Sequence, residues 1–265
     1  MTQERLAFLM GGYPAFEPSA DLFVTACGGS ESRIALLFQN ANHEDQHYLE
    51  YADPWTKRGA REIALIGRDQ SGLFDVAAAI ERLDRATGIF IAGGHTPIYH
   101  ELYGTEPLRS AIHSRYAAGV PFGGISAGAM LAAQKWAMTF EDTGRSVTQP
   151  GLGIAGGLVA VHFSEREQLP TALDHMALAG AMTCHGLDES TCAVFRNGEL
   201  WNVIGSPIHL ITMTSTSPRQ FAVTRVAVHN ADIAHSETGT LQQRHAADLL
   251  GGRVMRNASR SDTGQ

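Results

Sequence analysis

The chain has 265 residues, 44% of them hydrophobic and 18% charged, with 28 Gly, 10 Pro and 3 Cys. That apolar content supports a sizeable core and excludes a disordered, collagen-like or coiled-coil chain, and the length suits one large α/β domain or two small ones. The acidic balance, 27 Asp plus Glu against 20 Lys plus Arg, leaves no basic stripe, so neither nucleic acid nor a membrane surface is an expected partner.

Cys27, Cys184 and Cys192 form neither an even disulfide framework nor a Cys-x-x-Cys pair, as in a reducing compartment. No apolar run reaches the length of a bilayer span, and Met1-Thr2-Gln3-Glu4-Arg5 lacks the features of a secretory signal, so a cytoplasmic location is expected.

In chain order, residues 6–10, 34–38, 62–66, 88–91 and 121–125 are short β-type runs. The first, second and fourth are almost continuously apolar, as in strands covered on both faces. Amphipathic stretches separate them: within residues 75–85, Val76, Ala79, Ile80 and Leu83 share one stripe, with Glu81, Arg82 and Asp84 opposite. Repeated strand, helix, strand units predict an α/β fold built on a doubly wound, mostly parallel sheet flanked by helices. Beyond about residue 190, closely spaced strand-like segments (191–195, 199–204, 209–213 and 221–228) are punctuated by Asn197-Gly198 and Ser215-Thr216-Ser217-Pro218. They predict antiparallel strands extending the same sheet. A single domain over 1–250 is expected, with the polar residues 251–265 as a flexible C-terminal tail.

The segment richest in chemistry is Gly124-Ile125-Ser126-Ala127-Gly128, a Gly-x-Ser-x-Gly pattern directly after an apolar strand and before Met130-Leu131-Ala132-Ala133. Small residues around Ser126 permit a sharp strand-to-helix turn that exposes the hydroxyl at the carboxyl edge of the sheet. The plainer reading is a glycine-rich turn whose serine caps the helix. A nucleophilic serine also needs a base. Among twelve histidines, His162 stands out because it closes the run Gly157-Leu158-Val159-Ala160-Val161 where a strand end meets a new helix, the edge at which ligands sit in such sheets. Between the two lies a strand-like run, residues 136–142, ending in two carboxylates; Glu141 is the first choice for orienting the imidazole and Asp142 the second, against the plainer reading of a solvated turn. A second strand ends in Ala92-Gly93-Gly94-His95-Thr96, where paired glycines let a backbone N–H approach a reacting carbonyl. Neither a dinucleotide fingerprint nor a Walker A motif is present, and no cofactor or metal is called for.

Gly93-Gly94-His95-Thr96, Gly124-Ile125-Ser126-Ala127-Gly128-Ala129, His162-Phe163-Ser164-Glu165-Arg166 and Gly186-Leu187-Asp188-Glu189-Ser190-Thr191 follow one another as in the S51 peptidases, the family of dipeptidase E and cyanophycinase. The resemblance runs from Met10-Gly11-Gly12 to about His229. It implies a class I glutamine-amidotransferase-like fold with serine as nucleophile. It also implies Ser126 as nucleophile, His162 as base, an acid after the elbow that falls on Glu141, and an oxyanion hole from the amides of Gly94, or its neighbour Gly93, and Ala127. Ala160-Val161 stand where cyanophycinases carry Asp-Gln, and His95 stands where dipeptidase E carries Asn, so neither branch's substrate transfers directly. His95, Thr96 and Arg166 are the substrate-binding candidates, Arg166 for a carboxylate through its planar fork or, equally, as a surface ion pair with Glu165, Glu167 or Asp174.

Rival readings exist. His43-Glu44-Asp45-Gln46-His47 matches the zincin pattern, although without buried helical flanks or a third ligand it reads better as a helix start capped by Asn42 that borders the cleft. An α/β-hydrolase esterase shares the elbow and would take its base from His209, His229 or His235. An acyl-transfer enzyme, or a binding protein with a silent triad, would keep the fold without the hydrolysis. The favoured expectation is a serine-type amidohydrolase acting on a small peptide or isopeptide, with a homodimer left open as its assembly.

Overall fold

The apolar runs become strands because each can be covered on both faces. In the computed structural model, which describes residues 3–43, 46–140 and 142–227, they are β1 (Leu6–Met10), β2 (Arg33–Asn40), β3 (Glu62–Arg68), β4 (Gly88–Ile91) and β5 (Phe122–Ile125). Helices α1 (Phe16–Ala26), α2 (Gln46–Lys57), α3 (Val76–Arg85), α4 (Thr96–Tyr103) and α5 (Leu108–Ala117) lie between them, and α6 (Ala127–Ala132) follows β5. The remaining elements are β6 (Lys135–Thr139), β7 (Ser146–Pro150), β8 (Leu158–Val161), α7 (Leu169–Ala179), β9 (Thr183–Leu187), β10 (Thr191–Arg196), β11 (Glu199–Gly205), β12 (Ile208–Thr216) and β13 (Arg219–Val226).

The main sheet has the order β11-β10-β1-β5-β4-β2-β3. Its five N-terminal strands are parallel, whereas β10 pairs antiparallel with β1 and β11 antiparallel with β10. Alternation of side chains explains the two covering layers. Phe8 of β1 and Phe90 of β4 meet Phe16, Phe23, Tyr51 and Trp55 of α1 and α2 on one face. On the other face Ile91 and Gly124 meet Gly128 of α6. Helix α3 is the amphipathic stretch foreseen at 75–85, with Asp75 accepting from the Ala78 N–H at 2.9 Å as its N-cap and Ala79 and Leu83 buried.

Two sequence expectations need adjustment. Strands β12 and β13 do not extend the main sheet; they form a second sheet of order β13-β12-β9-β8, because β12 pairs with β9 and not with β11. Leu158, Phe163, Ala172, Met176, Cys184 and Ile211 build a separate small core between this sheet and α7. The helix near residue 43 does not begin with His43, which lies in a turn; α2 is described from Gln46 onward. The proposed tail, 251–265, and the histidines His229 and His235 lie outside the described residues, as do Glu44 and Asp45.

Candidate active site

Strand β5 stops at Ile125 because Ser126 leaves the extended region, with φ 50° and ψ −111°. A positive φ at a non-glycine residue is strained. It is held there by the Ser126 N–H donating to Met10 O at 2.9 Å and by the start of α6, where Met130 N–H donates to Ser126 O at 3.0 Å. The two glycines of the motif are required by packing. A Cβ on Gly124 would stand 2.6 Å from Gly128 O, and one on Gly128 only 2.1 Å from Ile91 O. Helix α6 can therefore press against β4 and β5, and the serine hydroxyl projects from the bend.

His162 directly follows β8 and also has a positive φ, 50°. Its Nε2 lies 2.9 Å from Ser126 Oγ and its Nδ1 lies 3.0 Å from Glu189 Oε1. An ionised carboxylate only accepts, so Nδ1 carries the hydrogen and Nε2 is left to accept from the serine hydroxyl. Burial, with the positive charge of Arg166 beside it, pulls the His162 pKa below the ordinary imidazole value, and Glu189 opposes that shift without reversing it. The shift favours the neutral ring, the form a proton acceptor must take.

The carboxylate at His162 is Glu189, where the sequence reading placed Glu141. Glu141 lies outside the described residues, and its neighbour Asp142 lines the cleft. Glu189 sits in the Gly186-Leu187-Asp188-Glu189-Ser190-Thr191 segment already noted for its likeness to the S51 pattern, but that segment was given no acid role. Strands β8 and β9 are parallel with Val161 opposite Leu187, so the residues that follow each strand emerge side by side. No local pattern announces this pairing; only sheet register does.

The second glycine loop lies next to the serine. Tyr99 Oη donates to Gly93 O at 3.0 Å, Gly93 N–H donates to Tyr51 Oη at 3.4 Å and Gln39 Nε2 donates to His95 O at 3.2 Å. Gly94 has φ 151°, and a Cβ there would lie 2.9 Å from Gln39 Nε2, so only glycine fits without displacement. Gly94, His95, Thr96, Ser126, His162 and Arg166 all line one cleft of about 740 Å³. Ala127, the other expected oxyanion donor, is the first residue of α6, where its N–H has no acceptor within the helix. Thr96 is 6% exposed, with its hydroxyl against Met130 Sδ at 3.7 Å. Across the cleft, Thr139 Oγ1 is 2.9 Å from both His175 Nε2 and Ser146 Oγ.

The rival constellations are not brought together in this way. His209 lies 3.4 Å from Asp188 and 3.3 Å from Ser164 Oγ, away from Ser126. His47 pairs with Glu50 at 2.9 Å while His43 packs edge-on against Tyr48, and neither lines the cleft. No group of metal-binding side chains is found among the described residues. No described helix is long and apolar enough to cross a membrane.

Cyanophycinases of Synechococcus elongatus and Thermosynechococcus vestitus are each 26% identical over 232 residues, 84% of this chain and 71% of theirs. That of Geminocystis herdmanii is 27% identical over 188 residues, 68% of this chain and 69% of its own. A crystal structure of a peptidase from an acI-B1 Actinobacterium superposes with TM-score 0.61 at 20% identity, over 86% of this chain and 99% of that one. A putative peptidase E from Listeria monocytogenes superposes with TM-score 0.56 at 14% identity, over 76% and 98%. The model of peptidase family S51 matches residues 8–203, the stretch that carries the glycine loop, the elbow, His162 and Glu189. With most of its length matched, the chain belongs to peptidase family S51 and is a serine-type peptidase or amidohydrolase.

Proposed function

We propose that this protein cleaves an amide bond in a small peptide or isopeptide through Ser126, His162 and Glu189. The observation that carries the reading is the linear relay of 2.9 Å and 3.0 Å contacts from Ser126 Oγ through the imidazole to Glu189, opening into the cleft. His162 Nε2 takes the hydroxyl proton as Ser126 attacks the carbonyl, and the resulting imidazolium is steadied by Glu189. The amides of Gly94 and Ala127 hold the tetrahedral oxyanion, each such donor being worth about 3 kcal/mol in comparable sites. The imidazolium then gives its proton to the departing amine. Water, deprotonated by the same nitrogen, releases the acyl group and restores the serine.

Arg166 suits the carboxylate of a short substrate. It lines the cleft and, among the described residues, forms no ion pair with Glu165, Glu167 or Asp174. His95 and Thr96 line the same cleft and are assigned to the acyl side of the substrate. No cofactor is required by this chemistry. The reading covers one catalytic domain over 1–250 acting in the cytoplasm, with a homodimer left to direct measurement of mass in solution. The test is hydrolysis of a dipeptide and isopeptide panel by wild type, Ser126→Ala and His162→Ala. Both variants are expected to fall by at least about a thousandfold on whichever member the wild type cleaves. Turnover surviving Ser126→Ala refutes the mechanism.

A further inference from the structure

The relay depends on two loops from different strands staying in register. His162 leaves β8 and Glu189 leaves β9, and each loop makes a tight turn away from its strand. Glu189 is 41% exposed at its side chain, so burial alone does not fix it against the imidazole. What ties the loops together is a crossed pair of hydrogen bonds. From the His162 loop, the Ser164 N–H donates to Asp188 Oδ1 at 3.0 Å. From the Glu189 loop, the Glu189 N–H donates to Glu165 Oε1 at 3.0 Å. The Phe163 N–H, donating to Leu187 O at 3.0 Å, closes the base of the same arrangement. Asp188 is buried, and its other oxygen faces His209 Nε2 of β12 at 3.4 Å, so its carboxylate is anchored from a third element. His209 in turn packs on Phe163, with ring centroids 4.8 Å apart.

We propose that Asp188 and Glu165 are positioning residues that act through Glu189: each carboxylate accepts a backbone N–H from the opposite loop, and together they hold Glu189 at hydrogen-bond distance from His162. Neither side chain touches the serine. Each accepts at an amide within two residues of His162 or at Glu189 itself, so losing either acceptor lets the Glu189 backbone drift relative to the imidazole. The inference rests on the Ser126, His162 and Glu189 reading given above.

The experiment is a set of double-mutant cycles on the most readily cleaved member of the dipeptide and isopeptide panel. Asp188→Ala and Glu165→Ala are each expected to lower kcat on the order of tenfold with KM changed by less than about twofold. Glu165→Gln, which keeps an acceptor for the Glu189 amide, is expected to recover most of the rate. In a Glu189→Ala background the further substitution of Glu165 or Asp188 is expected to change kcat by less than about twofold, because the side chain they position is gone. A purely structural role predicts the opposite, equal losses in both backgrounds, and overturns the proposal. So does a Glu165→Gln variant as slow as Glu165→Ala. Glu165 is exposed, so its variants test the proposal even if Asp188→Ala does not fold. A Glu189→Gln enzyme with undiminished kcat, or a wild type that cleaves nothing in the panel, overturns the triad reading instead and is thereby told apart from failure of the clamp alone.

Discussion

Replacing Glu189 by Gln removes one negative charge while keeping the size of the side chain. In the relay that charge faces the imidazolium formed when His162 takes the serine proton. Two unit charges about 4 Å apart attract by about 4 kcal/mol at an effective dielectric constant near 20. Glu189 is 41% exposed, and with water screening roughly half of that attraction, about 2 kcal/mol remains. At about 1.4 kcal/mol per tenfold, kcat is expected to fall roughly thirtyfold. KM is expected to stay within about twofold, since the charge acts on a proton transfer and not on ground-state binding. The amide can still accept from Nδ1 and preserve the productive tautomer, so the loss is smaller than for an acid that is fully buried. Steady-state kinetics on the best panel substrate measure it, with Glu141→Gln and Asp142→Asn as controls expected to lie within about threefold of wild type. A Glu189→Gln enzyme that keeps its rate, or a Glu141→Gln enzyme that loses it, refutes the assignment.

Three further outcomes follow from the same geometry. Because burial and Arg166 both hold the His162 pKa down, the acid limb of kcat/KM should lie below the ordinary histidine value of about 6.5; Arg166→Gln removes one depressing charge, so a pH–rate series should show the limb moving upward, together with a higher KM for substrates bearing a free carboxylate. Tyr99→Phe removes the hydroxyl held by Gly93 O at 3.0 Å and frees the peptide group whose N–H belongs to Gly94; since the C=O and N–H of a trans peptide point in opposite directions, kcat is expected to drop on the order of tenfold while KM changes little, and an unchanged kcat would remove Gly94 from the oxyanion hole. Gly128→Ala places a Cβ 2.1 Å from Ile91 O, so chemical denaturation should show a loss of about 1–3 kcal/mol together with reduced activity, whereas a variant as stable as wild type would mean that α6 does not press on β4.

Much of this arrangement was readable from the residues alone, for local physical reasons. The run at 88–91 coincides with β4 because it is a short, continuously apolar segment buried along its length, with the Gly93-Gly94 loop close behind it. The elbow was readable because its packing admits nothing larger than hydrogen at Gly124 and Gly128, which leaves a pattern five residues long. His162 was singled out from its place at the end of an apolar run. Glu189 was not, because its nearness to His162 comes from the parallel register of β8 and β9, strands separated in the chain by the whole of α7. Its local context, Asp188-Glu189-Ser190 between two strands, looks like an ordinary polar turn. The departure of β12 and β13 into a second sheet was hidden for a related reason. Alternation marks a strand but does not name its neighbour.

The claim on which everything else depends is that His162 activates the Ser126 hydroxyl. The most direct measurement is mass spectrometry of the protein after exposure to an alkyl fluorophosphonate, followed by peptide mapping. One phosphonyl group on the peptide containing Ser126, strongly diminished in His162→Ala, is the predicted result. An unmodified Ser126 in active enzyme, or equal labelling with and without the imidazole, would contradict it.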